Sequence, residues 1–83
     1  MSLRTRAQIR AARAMLSWSQ DRLAEAADVS LPTIKRLEPG DDPIRVRVDI
    51  LERIERSLLA AGVEFTNGDA PGVRLRPQVG AVS

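Results

Sequence analysis

The sequence contains neither cysteine nor histidine. Those two absences exclude disulfides, thiol nucleophiles, zinc sites of the Cys/His kind and imidazole acid–base chemistry. Stability must come from packing, with oligomerisation as a further source. No stretch approaches the roughly 18 consecutive apolar residues of a membrane-spanning helix. The amino-terminal MSLRTRAQIR also lacks the apolar segment of a signal peptide, so the expectation is a cytoplasmic protein without a membrane partner. What remains is a chain of 83 residues with 43% hydrophobic content, enough for one small domain of roughly three to five helices and too short for two cores.

Net charge is only +2, but it is unevenly placed. Residues 1–40 carry seven Arg/Lys against four Asp/Glu, and the remainder carries six against seven. A basic first half and a near-neutral second half fit a division between a polyanion-binding part and a part with another task. Solvated helices of ordinary proteins show such imbalances too, so charge alone decides nothing.

Periodicity organises the chain further. Ile9, Ala12, Met15 and Leu16 form an apolar stripe that predicts a helix from Thr5 to Leu16, with Arg6, Gln8, Arg10 and Ala14 on its other faces. Ser19 stands where an N-cap is wanted before a second helix marked by Leu23, Ala24 and Ala27, which stops near Asp28 at a turn needing a left-handed backbone, with Val29 as the buried anchor. Ser30 caps a third helix whose first turn holds Pro32, where the missing N–H has no intrahelical acceptor to lose. Ile34 and Leu37 face inward, leaving Leu31, Pro32, Thr33, Lys35 and Arg36 on the outward surface. The helix ends by Glu38, because Pro39-Gly40-Asp41-Asp42-Pro43 cannot continue it.

A fourth helix is predicted from Arg47 to Ala61, with Gly62 just beyond, on the spacing of Ile50, Leu51, Ile54, Leu58 and Ala61. Residues 63–66 and 72–76 alternate in polarity around Asn67-Gly68-Asp69, which predicts a β-hairpin. The expected fold is therefore an all-α helix-turn-helix domain of four helices over residues 1–62. A short carboxy-terminal hairpin follows over 63–76 and a flexible tail over 77–83.

The run containing Ser19, Gln20, Leu23, Ala24, Asp28, Val29, Ser30, Thr33, Ile34, Arg36, Glu38 and Gly40, with Arg13 upstream, resembles the helix-turn-helix domain of the phage repressor/Cro proteins and the xenobiotic-response-element-type bacterial regulators. The resemblance covers about residues 5–61. Asp28 departs from it, standing where the family usually has the turn glycine, and the hairpin lies beyond it. The resemblance implies a lambda-repressor-like fold that binds double-stranded DNA through helix 3.

Position by position, the resemblance implies that Gln20 contacts a backbone phosphate at the start of helix 2, and that Leu31, Pro32, Thr33 and Arg36 face base edges. It assigns Arg13 and Glu38 to an ion pair tying helix 1 to the end of helix 3. Chemistry sorts the contacts unequally. Arg36 can grip a guanine bidentately, Thr33 can reach a base or a phosphate, and Leu31 or Pro32 can touch a thymine methyl. Lys35, a flexible point charge, suits a phosphate, and Ser30 is placed with it. Arg4 and Arg6 are candidates for a basic arm along the DNA. Trp18, the only tryptophan, is assigned to packing, and Asp41-Asp42 to turn chemistry.

One such domain touches one half-site, so a homodimer is expected, with Leu59, Phe65, Val73 and Leu75 as its contacts beside Val48. The alternative is a hairpin that covers its own core, or whose edge captures another protein. The leading functional reading is a nucleoid-associated, sequence-specific transcriptional regulator, either repressor or activator, on an inverted repeat. It needs no cofactor and has no room for a separate small-molecule ligand domain. The alternative is an antitoxin or antiactivator whose main task is holding a protein partner. An enzyme is disfavoured, because no nucleophile–base pair, metal cluster or phosphate-cradling glycine loop is visible.

Overall fold

Short hydroxyl side chains open three of the four helices in the computed structural model, which describes residues 2–77. Helix α1 (Arg6–Leu16) begins with a reciprocal box, in which Thr5 accepts from the Gln8 backbone N–H and the Gln8 side chain accepts from the Thr5 N–H. Ser19 caps α2 (Gln20–Ala27) by accepting from the Arg22 N–H, and Ser30 caps α3 (Leu31–Leu37) by accepting from the Thr33 N–H. Asp28 takes the expected left-handed backbone at the end of α2, with φ 57°. Helix α4 (Val48–Ala60) follows the loop, and Gly62 turns the chain out of it at φ 104°, a conformation costly for any residue with a Cβ. The chain then forms an antiparallel hairpin, β1 (Val63–Thr66) and β2 (Gly72–Leu75), in which Val63 pairs with Leu75 and Phe65 with Val73. The expected tail falls, apart from Pro77, outside the described residues.

The inward stripes meet in one core of Ile9, Ala12, Leu23, Ile34, Leu37, Ile54 and Leu58. Two members come from outside the helices. Val63 enters from β1, and Leu3, only 2% exposed, enters from the segment before α1. That segment is pinned: the backbone N–H groups of Ser2 and Leu3 both donate to the Glu55 Oε2, at 2.7 and 2.8 Å.

Gln8, expected on an outward face of α1, is instead buried. Its Oε1 accepts from the Arg4 and Thr5 N–H groups. Its Nε2 donates to the carbonyls of Gly72 and Thr66 and to the Asn67 Oδ1, at 3.1 to 3.4 Å. A buried amide is tolerated when its donors and acceptors are matched, and here the match fixes the hairpin to the start of α1.

The hairpin therefore leans on its own helices. Phe65 and Val73, expected as dimer contacts, are half-buried against the core. Leu31, expected outward, is also half-buried, because it lies three residues before Ile34 and shares that inward face. Among the described residues no helix is long and apolar enough to cross a membrane.

Candidate nucleic-acid interface

Helix α3 spans only seven residues, too short to hold its own shape in water, so its orientation depends on what grips it. Helix α1 supplies the grip through Arg6, Arg10 and Arg13, spaced to fall along one side of a helix. The Arg6 guanidinium donates to the carbonyls of Arg36, Leu37, Asp42 and Pro43 at 2.7 to 3.1 Å. Arg10 donates through Nη1 to the carbonyls of Glu38 and Gly40. The last carbonyls of a helix have no intrahelical donors and carry the negative end of its dipole, so cationic donors suit them on both counts. The three arginines clamp the end of α3 and the following loop to α1.

Arg13 completes the clamp with a fork-to-fork pair: Nε to the Glu38 Oε2 at 2.8 Å and Nη2 to the Glu38 Oε1 at 2.9 Å. Its Nη1 donates to the Trp18 carbonyl at 2.9 Å, which ties in the turn before α2. Glu38 is buried, and the hydrogen bond from Arg13 to it raises the guanidinium pKa above the ordinary arginine value. Gln20 adds a bond from its Nε2 to the Glu38 Oε1 at 3.2 Å, so the residue at the head of α2 is half-buried and already oriented.

What the clamp leaves exposed is the outer face of α3. Pro32, Lys35 and Arg36 are exposed, and Thr33 is half-buried beside them. The Ser30 and Thr33 hydroxyls pair at 2.8 Å, and the Arg36 Nη2 lies 3.4 Å from the Thr33 Oγ1. Lys35 makes no hydrogen bond or ion pair among the described residues. Two shallow clefts flank the helix. One is lined by Arg10, Gln20, Lys35, Glu38 and Pro39, and the other by Arg6, Thr33, Arg36, Leu37, Arg45 and Val46.

Arg4 and Arg6 are only candidates for a basic arm in the sequence. Arg6 is instead occupied by four loop carbonyls, and Arg4 sits on backbone held by Gln8 between buried Leu3 and the Thr5 cap, so only its side chain is exposed. Arg45 was missed. It is exposed, has no partner among the described residues, and lines the same cleft as Thr33 and Arg36. Its neighbour Arg47 is paired with Asp49 at 3.1 Å. Only the position of Arg45, soon after helix 3 and before helix 4, could have pointed to it.

Trp18 is half-buried against the core, as expected of a packing residue, and the Arg22 guanidinium lies 4.9 Å from its ring centroid. Leu59 and Leu75 stay partly exposed at 38% and 36%, and Val48 at 66%.

No curated protein matches the chain. The helix-turn-helix family model matches residues 9–58, from the first core residue of α1 to the last of α4. The matched span is more than half of the chain and contains α2, α3, and the Arg10 and Arg13 that hold α3, so this protein belongs to the Cro/C1-type helix-turn-helix family of DNA-binding regulators.

Proposed function

We propose that the chain is a sequence-specific transcriptional regulator that binds an inverted-repeat operator as a homodimer, with α3 in the major groove. The observation that carries this reading is the division of labour among the cations. Arg6, Arg13 and the Nη1 of Arg10 are committed to holding α3, whereas Lys35, Arg36 and Arg45 stand exposed around it. Arg36 with Thr33 reads base edges. Lys35, Arg45, Gln20 and Ser30 position the backbone, and the Arg4 side chain adds a further phosphate contact.

Dimerisation falls to Leu59 and Leu75, since Phe65 and Val73 face their own core. Two copies place their α3 helices about 34 Å apart, one turn of duplex, on the two halves of the operator. The test is binding of the purified protein to the DNA upstream of its own gene. A specific complex whose affinity falls steeply with salt supports the reading, and the lack of any specific complex at moderate salt sinks it.

A further inference from the structure

The loop after α3 carries a pair of acidic residues that nothing in the fold requires as acids. Asp41 and Asp42 are both exposed, and the Asp41 side chain is 92% exposed. The loop does not depend on their carboxylates for its shape. Arg10 and Arg6 hold it through the backbone carbonyls of Glu38, Gly40, Asp42 and Pro43. Among the described residues, the one ion pair these carboxylates make is a long one, from the Asp41 Oδ1 to the Arg10 Nη2 at 3.5 Å.

That contact falls on the cation that lines the cleft shared by Gln20 and Lys35. Arg10 has two functions that its two terminal nitrogens divide. Nη1 is committed to the loop carbonyls, and Nη2 meets Asp41. An exposed pair at this distance is worth little as a source of stability, because water and salt screen it. It is well placed to do something else, which is to occupy a donor that a DNA phosphate would otherwise take.

We infer that Asp41 is a built-in competitor for phosphate at Arg10, an intramolecular counter-charge that lowers the protein's affinity for DNA of any sequence. The inference rests on the DNA-binding reading above. Sequence-independent affinity comes from cations that release counterions on meeting phosphates, and a cation already paired with a carboxylate gains less. The bases read by Arg36 and Thr33 are untouched by this contact, so Asp41 sets how tightly the domain holds DNA and leaves unchanged which sequence it prefers.

The test is fluorescence anisotropy of the full chain on a short random-sequence duplex, titrated between about 50 and 200 mM salt. The variants are Asp41→Asn and, as a control with the same net charge, Glu52→Gln. Glu52 is exposed on α4 and lines neither cleft. The expected result is about fivefold tighter binding for D41N at the lower salt and a log–log salt slope steeper by about one, with E52Q close to the parent protein. Thermal melts check that both variants fold. Superimposable D41N and parent titrations overturn the inference, and so does an equal gain in E52Q, which reduces the effect to net charge. A folded parent protein that binds no duplex even at the lower salt instead overturns the DNA-binding reading itself.

Discussion

Arg13 and Glu38 meet as two forks, and through them α1, the turn before α2 and the end of α3 are joined at one point. The Glu38 side chain is 4% exposed and that of Arg13 25%, so the carboxylate is the partner taken out of water. Removing one side of such a pair costs more than the pair is worth, because the remaining charge stays buried.

Arg13→Ala is therefore expected to destabilise the domain by about 3 kcal/mol, measured by urea denaturation, with Glu38 left to the amide of Gln20. The guanidinium pKa is raised on folding, so its contribution is fully present below the unfolded value and lost only as pH rises through the folded one, in strongly alkaline solution. The penalty should be the same at pH 6 and pH 9. A penalty that shrinks across that range would show that Arg13 is not its source.

Gln8→Ala removes the only side chain among the described residues that bonds both the start of α1 and the hairpin carbonyls of Thr66 and Gly72. The cost should be about 1–3 kcal/mol, set by the buried groups left unmatched. Hydrogen exchange should quicken first at β1 and β2. Uniform quickening across α2 and α3 would argue against a local lock.

Arg36→Ala should reduce preference for the specific site by about 1–3 kcal/mol while leaving random-sequence binding nearly intact. Lys35→Ala and Arg45→Ala should weaken both kinds of DNA alike and each lower the salt slope by about one. Competition titrations separate the two classes of effect, and a sequence-selective loss on removing Arg45 would move that residue from positioning to reading.

Leu59→Lys with Leu75→Lys should convert the proposed dimer to monomer in sedimentation velocity while leaving the monomer's melting cooperative, since both side chains are already partly exposed. Operator affinity should then fall with loss of the second half-site. Phe65→Lys would behave differently, with loss of stability, because Phe65 packs on its own core.

The legible parts of this protein were the local ones. Ser19 and Ser30 cap residues within their own first turns, and Ile9, Leu23, Ile34 and Leu58 repeat at helical spacing, so short windows of sequence carry both signals. The Arg13–Glu38 pair was legible through the family resemblance. The roles of Arg6, Arg10 and Gln8 were not, because their partners are mainly backbone carbonyls 28 to 64 residues away, and a carbonyl has no letter in the sequence. Leu3 was missed for a related reason. It precedes the first helix and belongs to no stripe, and it enters the core because Glu55 holds the backbone on which it sits. Arg45 lay in a loop whose position beside α3 is set by those same carbonyl contacts.

The division between the clamp and the exposed face of α3 has an evolutionary and an engineering meaning. Pro32, Lys35 and Arg36 contribute nothing to the core, and the grip on α3 comes from α1 through backbone atoms that every residue possesses. On the proposed function, the outer face of α3 is a rewritable cassette. Its letters can be exchanged, by selection or by a library, to address a new operator while the frame that aims them stays the same.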